Sequence, residues 1–154
     1  MSKKIKPLEL EHLSGFFPTD EQCQEFREWL DGVLRYGIES VRNKALNCHA
    51  FALVDKEGTV FAICGNYRYA TGNDSFWSYV SKSAEPHHWN SLMRACNGVM
   101  NWLFSHGSKR IEVSIKEGYE NAERAIKMLG FEKEGLMRNY GPQGENYFLY
   151  SKVK

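Results

Sequence analysis

The sequence predicts a single α+β domain, residues 1–154, built on a mixed and mainly antiparallel sheet that contains one parallel strand pair flanked by helices. Apolar periodicity gives the order helix, three strands, helix, strand, helix, two strands. The strand, helix, strand run in the middle requires a right-handed parallel crossover. The 154 residues include 42 % apolar residues, enough for one ordinary core, and contain no internal repeat or linker.

The N-terminal region is predicted to be an extended lead-in over residues 1–18, followed by a helix. Residues 19–22 have the pattern of a capping box, in which a hydroxyl accepts a first-turn amide and Gln22 reaches back. Gly37 supplies a stop for the helix. Between them an apolar stripe recurs at helical spacing, formed by Cys23, Phe26, Leu30, Val33 and Leu34.

Three strands are predicted next. Residues 49–54 form a short apolar strand, and residues 55–58 form a turn that ends in glycine. Residues 59–70 continue as the second strand of this hairpin. After a turn at 71–74, residues 75–80 are rich in the aromatic and β-branched residues typical of strands.

The second half alternates helices and strands. Apolar residues from Leu92 to Phe104 share one helical face, and this long helix ends at His106 and Gly107. Residues 110–115 alternate as a strand. A short helix over 120–129 is closed by Gly130, and the chain ends in a hairpin of strands 131–138 and 147–150 around a turn at 141–144.

Composition limits the class of function. Twenty Lys and Arg residues oppose nineteen Asp and Glu residues, so a net charge of +1 gives no global attraction to nucleic acid or membrane. No apolar run could span a bilayer and no secretory signal is present, so we expect a cytoplasmic protein without a membrane partner. The four cysteines form no CxxC pair, and His87, His88 and Cys96 match no common zinc spacing, so we expect neither disulfides nor a metal.

The C-terminal third carries a specific resemblance. Leu129, Gly130 and Phe131 end the short helix, and the next strand carries Glu-Gly-x-x-Arg from Glu134 to Arg138. This run resembles the closing motif of GNAT acetyltransferases, and the second element is similar to the branch that acetylates ribosomal-protein N-termini and small amines. The order of elements over residues 45–152 is also the order of that fold.

The resemblance implies an acetyl-CoA site between the two parallel strands. These strands, 76–80 and 111–115, would splay apart at one end and hold the pantetheine arm as if it were an extra strand. A backbone N–H group of Tyr79, Val80 or Ser81 would stabilise the oxyanion, a contribution of about 3 kcal/mol in comparable acyl-transfer sites.

The phosphate-binding loop departs from the family pattern. Family members carry Arg or Gln, two residues, Gly, one residue, then Gly or Ala at the start of the central helix, whereas residues 87–92 here contain no glycine. We expect His87, Asn90 and Ser91 to contact the diphosphate instead. In the short helix Tyr119 and Ile126 replace the usual Asn and Tyr, and Asn121 is the candidate contact to pantetheine.

Amine acetylation needs a base for the protonated amine and a proton for the departing thiolate. The candidate bases are Glu85, then His88 and Asp74. Tyr119 is the candidate acid because it lies between the last parallel strand and the short helix, and Tyr147 and Tyr150 compete for this role.

Trp77, Tyr147 and Arg138 are expected to contact the acceptor, although Arg138 could instead pair with Glu134. The favoured function is direct acetyl transfer to a primary amine of a small molecule or protein by a monomer or homodimer. The missing glycines favour an alternative, a catalytically inactive GNAT-like binding or virion-type structural protein. Aromatic residues around Arg68 and Lys82 leave open a nucleic-acid-modifying member, which is not favoured.

Overall fold

A computed structural model of the protein describes residues 5–154 and contains one seven-stranded sheet with three α-helices. The strands follow the spatial order β1-β2-β3-β4-β5-β7-β6. The elements in chain order are β1 (Ile5–Pro7), α1 (Cys23–Tyr36), β2 (His49–Val54), β3 (Val60–Ala70), β4 (Asn73–Val80), α2 (Pro86–Ser105), β5 (Arg110–Lys116), α3 (Glu120–Met128), β6 (Glu132–Met137) and β7 (Tyr147–Val153).

The expected sheet class is confirmed, because β4 and β5 are parallel and every other neighbouring pair is antiparallel. The lead-in differs from the prediction in two respects, and one is that Leu10–Leu13 form a 3-10 turn where extended chain was expected. Residues 5–7 form a short edge strand on β2, with Ile5 opposite Leu53. A strand of three residues has too few positions to show alternation in a sequence. The first four residues of the predicted lead-in lie outside the described part of the chain.

The parallel pair separates along its length. Residues 73–75 of β4 pair with residues 110–112 of β5, and the pairing stops there. Beyond this point β4 remains bonded to β3 as far as Val80, and β5 remains bonded to β7 as far as Lys116. The two strands can therefore diverge because each keeps a partner on its other side.

Helices cover both faces of the sheet. Side chains alternate along a strand, so Phe76 and Val80 of β4 face the core under α2 and α3, whereas Tyr79 faces the core under α1. In the α1 core the Phe26 and Tyr79 rings meet edge to face at 5.1 Å. Cys64 and Cys96 are buried among apolar neighbours, and burial raises the pKa of the Cys96 thiol to about 12. Both cysteines therefore belong to the core.

The predicted capping box of α1 is wrong. A 3-10 turn over Asp20–Gln22 precedes the helix, and Thr19 makes no side-chain hydrogen bond to the helix start. The Gln22 side chain instead reaches β4. Of the predicted apolar stripe, Phe26 and Val33 are buried, but Cys23 and Leu34 are exposed. Gly37 ends the helix with φ of 88°, as predicted.

Helix α2 begins earlier than the sequence indicated. Pro86 is its first residue and Glu85 its N-cap, and the backbone N–H of Glu85 donates to Nδ1 of His88 at 2.8 Å. Proline at the first helical position needs no intrahelical partner for its nitrogen, which favours this start. Residues 87–92, expected to form the phosphate-binding loop, are therefore the first turns of the helix.

Candidate active site

A cleft of about 630 Å³ opens where β4 and β5 separate. It passes through the sheet, because its walls include residues of α1 on one face and of α2 and α3 on the other. The residues that line it include Gln22, Glu25, Glu28, Trp29, Trp77, Ser78, Tyr79, Val80, Trp89, Leu92, Val113, Lys116, Tyr119, Ala122, Tyr140 and Tyr147.

The edge of β4 that borders this cleft already has hydrogen-bond partners. Val80 donates its backbone N–H to Oε1 of Gln22 at 3.0 Å, and Nε2 of Gln22 donates to the Ser78 carbonyl at 2.7 Å. The Ser81 N–H points the opposite way and donates to Phe61 of β3. Backbone groups alternate along a strand, so the Tyr79 N–H also faces β3. Of the three N–H donors expected to face the cleft, only that of Val80 does so.

Residues 17–19 also form hydrogen bonds with the end of β4, next to those of Gln22. The Thr19 N–H donates to the Val80 carbonyl at 3.0 Å, and the Lys82 N–H donates to the Phe17 carbonyl at 2.9 Å. Pro18 forms an isolated antiparallel bridge with Ser81. The chain just before α1 thus lies beside β4 where a further strand would otherwise add.

Tyr119 lies where the sequence placed it, at the N-cap of α3 on the cleft wall. Its hydroxyl is 3.2 Å from Oγ1 of Thr19. Burial raises the pKa of Tyr119, the hydrogen bond to Thr19 lowers it, and the charges of Glu21 and Glu25 raise it further. The net direction is upward, so the phenol is protonated at neutral pH and can act as a proton donor.

Glu25 is a cleft residue that the sequence analysis missed. Burial raises the pKa of its carboxyl group, the Tyr147 hydroxyl and the charge of Lys116 lower it, and the charge of Glu145 raises it. The net direction is upward, which brings this carboxylate closer to the working range of a general base. A signal was available, since Gln22, Glu25 and Trp29 recur at helical spacing on one polar and aromatic face of α1.

Aromatic side chains form the wall on the α1 side. Trp29 and Trp77 have ring centroids 5.1 Å apart, and Tyr140 and Tyr147 have centroids 5.3 Å apart. The Trp77 indole covers Gly65, where a Cβ atom would lie 2.5 Å from the ring. Trp77 and Tyr147, two of the three expected acceptor contacts, therefore line the cleft.

The expected bases lie elsewhere. Glu85 and His87 form an exposed pair on the first turn of α2, with the nitrogen and oxygen 3.5 Å apart. His88 is buried, stacked on Phe61 at 4.7 Å, with Nε2 3.4 Å from a carboxylate oxygen of Asp55. None of these side chains is among the lining residues in the described part of the chain.

Asp74 is fully buried at the paired end of β4. Its carboxylate accepts from Arg68 and from Nδ2 of Asn66, each at 2.9 Å. These bonds anchor the strand and leave the carboxylate without access to the cleft. Asp74 was a candidate base because the sequence does not show that its carboxylate is paired with Arg68 and Asn66.

Four other expected site residues also lie off the cleft. Asn90 is exposed and Ser91 half-buried on α2, and Arg138 is exposed after β6. Asn121 is exposed and accepts a hydrogen bond from Arg124. Glu134, the alternative partner of Arg138, pairs instead with Arg110 and Ser151, and this lowers the pKa of Glu134 to about 2.

The two ends of acetyl-CoA fit this cleft unequally. The outward N–H of Val80 and carbonyl of Ser78 are groups with which an added strand would pair, and the two amides of the pantetheine arm carry the matching C=O and N–H groups. At the tip of α2, by contrast, Pro86 has no N–H, the His88 N–H already donates to the Glu85 carbonyl, and the Glu85 carboxylate is exposed. The structure therefore supports the pantetheine end of the site more strongly than a diphosphate cradle.

Residues 5–154 contain neither a metal-binding cluster nor a membrane-spanning helix. No group of three or more His, Cys, Asp or Glu side chains is arranged to hold a metal ion there. No helix within the same residues has both the length and the apolar character needed to cross a membrane.

Comparison with known proteins identifies the fold. No family model and no curated protein matches the sequence. Among solved structures, the ribosomal-protein-alanine N-acetyltransferase of Brucella melitensis has a TM-score of 0.70 at 12 % identity, covering 97 % of this chain and 99 % of that one. The ribosomal-protein-S5-alanine acetyltransferase of Vibrio fischeri has a TM-score of 0.66 at 17 % identity, with coverages of 97 % and 91 %.

A third neighbour was solved with a ligand. The GNAT superfamily phosphinothricin acetyltransferase of Sinorhizobium meliloti, in complex with acetyl-CoA, has a TM-score of 0.66 at 12 % identity and coverages of 99 % and 89 %. At these identities the likeness shows a shared fold, and it confirms the fold expected from the sequence.

Proposed function

We propose that this chain, which has the GNAT fold, is an N-acetyltransferase that moves an acetyl group from acetyl-CoA to a primary amine by direct transfer in a ternary complex. The observation that carries the proposal is the separation of β4 from β5 beyond residues 73–75 and 110–112. It opens a cleft through the sheet, with the edge of β4 on one side and the α1 carboxylates on the other. Two reactants could thus meet from opposite faces.

In this proposal the edge of β4 binds the pantetheine arm. Ser78 offers a carbonyl and Val80 an N–H, while Leu92 and Ala122 provide apolar walls on α2 and α3. Acetyl-CoA supplies the activated thioester. We assign the diphosphate to Lys82 and His87, basic side chains that are exposed just before α2 and in its first turn.

We assign the proton transfers to two cleft residues. Glu25 removes a proton from the ammonium group of the acceptor, and the free amine then attacks the thioester carbonyl. As the carbon–sulfur bond breaks, the Tyr119 hydroxyl gives its proton to the departing thiolate. The nitrogen of the new amide then releases its extra proton to the Tyr119 phenolate, directly or through water, and Glu25 returns the first proton to solvent. Tyr147 lines the same cleft, and its hydroxyl lowers the pKa of Glu25, so we assign it the role of positioning the base. Glu25 replaces Glu85, His88 and Asp74 in this role because it lines the cleft and they do not.

The acceptor is proposed to enter on the α1 side, past Glu28, Trp29 and Tyr140. Carboxylates and aromatic faces suit a cationic amine. The neighbours include enzymes named for ribosomal-protein alanine and for phosphinothricin, so both protein and small-molecule amines are candidates. The four cysteines are free thiols, which agrees with the proposed cytoplasmic location.

One observation favours a second candidate, a non-catalytic GNAT-like binding or structural protein. The Gln22 carboxamide occupies the Ser78 and Val80 groups that the pantetheine arm would need. The tip of α2 also lacks the glycines that allow close approach of a diphosphate. If Gln22 stays in place permanently, the fold persists without its cofactor.

Calorimetry with acetyl-CoA on the wild-type protein separates the two candidates. The enzyme requires saturable binding, together with a concentration-dependent rise in melting temperature. Incubation with primary amines should then release free thiol from acetyl-CoA and add an acetyl group that mass spectrometry detects. Absence of binding at millimolar acetyl-CoA would contradict the proposed function and support the non-catalytic candidate.

A further inference from the structure

We infer that Gln22 holds the acyl-CoA site closed in the free protein, and that the pantetheine arm must displace the Gln22 carboxamide to bind. This inference rests on the proposed function, because it specifies how the same cleft is regulated. It makes residues 17–22, here called the edge segment, an internal competitor of the cofactor.

The contacts of Gln22 are those of a short added strand. One carboxamide donates to the Ser78 carbonyl at 2.7 Å and accepts from the Val80 N–H at 3.0 Å. Gln22 is only 8 % exposed, so these bonds are shielded from water. A primary carboxamide presents its C=O and an N–H on the same side and satisfies both backbone groups at once. The trans amides of pantetheine would satisfy the same two groups with the C=O of one amide and the N–H of the other.

The rest of the edge segment reinforces this closure. Thr19 donates its N–H to the Val80 carbonyl, and the Phe17 carbonyl accepts from Lys82. The Thr19 hydroxyl lies 3.2 Å from the hydroxyl of Tyr119 on the opposite wall of the cleft. The edge segment thus joins the β4 side of the opening to the α3 side.

Competition follows from the number of donors. The Val80 N–H carries a single proton, so a well-aligned bond to Gln22 excludes an equally good bond to pantetheine. The free energy needed to release Gln22 is then subtracted from that of cofactor binding. Gln22 also lies one helical turn from Glu25, so its release would disturb the helix start that carries the proposed base. Occupation of the cofactor site would be coupled to the acceptor site in this way.

The test compares coenzyme A binding by calorimetry in the wild type, Gln22→Ala and Gln24→Ala. Gln24 lies two residues further along, in the first turn of α1, but is absent from the cleft lining in the described part of the chain, so it is the matched control. Removing two competing hydrogen bonds should lower the Kd of Gln22→Ala about tenfold, and Gln24→Ala should keep the wild-type Kd.

A measurement on the wild type protects the test against misfolding of a variant. In proton–nitrogen NMR spectra the side-chain amide protons of Gln22 should exchange slowly with water in the free protein and rapidly at saturating coenzyme A. Those of Gln24 should be unaffected by coenzyme A.

Several outcomes would overturn the inference. An unchanged or weaker affinity in a folded Gln22→Ala variant, or a Gln22 amide that stays protected at saturation, would show that Gln22 does not compete, while the proposed function would stand. Failure of the wild type and both variants to bind coenzyme A at millimolar concentration would overturn the inference and the proposed function together.

Discussion

At the residue scale, Glu25 is the side chain on which the proposed chemistry depends. It lies on the α1 side of the cleft, which Tyr147 also lines, and burial raises the pKa of its carboxyl group. A raised pKa has two consequences, one for the rate of reaction and one for the stability of the fold. Each consequence can be measured with the same substitution.

For the rate, Glu25→Gln removes the base without changing the size of the side chain. We expect kcat to fall by about 10²- to 10⁴-fold, the usual contribution of general base catalysis. The wild-type kcat/KM should rise with pH as Glu25 ionises, above the ordinary carboxyl pKa of about 4.3, and the variant should lack this limb. Thiol release from acetyl-CoA with a panel of primary amines measures both quantities.

Asp31→Asn is the control for this substitution, because Asp31 is exposed on the same helix and lies outside the cleft lining in residues 5–154. It should retain wild-type kinetics. An equal loss of activity in both variants would point to damage to α1 rather than to loss of a base.

For stability, the sign follows from proton linkage. The folded state holds the Glu25 proton more tightly than the unfolded state, so the free energy of unfolding falls as pH rises from the ordinary carboxyl pKa to the raised one. Glu25→Gln escapes this penalty. Its melting temperature should therefore exceed that of the wild type at pH 7, and the difference should shrink below about pH 4.3. A difference that does not depend on pH would contradict the assigned shift.

At this scale the sequence located the aromatic and phenolic residues better than the charged ones. Tyr119, Tyr147 and Trp77 line the cleft as expected, because their positions follow from strand ends and alternation. Glu85 and His88 do not line it, because Glu85 caps α2 and His88 contacts Asp55. Neither contact can be recognised from the sequence. Glu25 was missed because the apolar stripe of its helix predicts a core face and says nothing about the polar face beside it.

At the element scale, the predicted site was wrong where the sequence misplaced the first residue of a helix. The long helix was recognised from its apolar face, but its start was inferred from a family motif rather than from the proline at position 86. Residues 87–92 consequently appeared to be a loop. The first helix shows the same effect, because Gln22 has the pattern of a cap and yet its partners lie 56 and 58 residues along the chain. Local patterns cannot reveal partners at that distance.

The packing of β3 against β4 gives a prediction about glycine. A Cβ atom at Gly65 would lie 2.2 Å from the His49 carbonyl oxygen and 2.5 Å from the Trp77 ring, so Gly65→Ala must displace backbone or indole. We expect a loss of about 1–3 kcal/mol in the free energy of unfolding, the usual cost of overpacking. Denaturant unfolding followed by tryptophan fluorescence measures this change.

Gly98→Ala provides the opposite control. Gly98 lies within α2, and a Cβ atom added there would meet no other atom within 4 Å, so alanine should stabilise the helix by up to about 1 kcal/mol. Equal effects of the two substitutions would show that the close contact of Gly65 with Trp77 does not determine stability.

At the scale of the whole molecule, the order of elements predicted the topology and the location of the opening. A helix between two strands required a parallel crossover, and the antiparallel partners of β4 and β5 followed from the hairpins on either side. The sequence did not predict that residues 17–22 return to the edge of β4, because no local periodicity describes a loop that packs on a distant strand. The hydrogen bonds of residues 17–22 to β4 close the cofactor site in the free protein. Whether acetyl-CoA can displace them decides between a regulated site and an inactive one.

The most direct test of the proposed site is a crystal structure of the wild-type protein grown with acetyl-CoA. We predict a pantetheine arm between residues 78–80 of β4 and residues 113–115 of β5, bonded to Ser78 and Val80, with the thioester near Tyr119 and Glu25. A structure in which acetyl-CoA lies outside this cleft, or in which the cleft remains closed by Gln22 at saturating acetyl-CoA, would contradict this prediction.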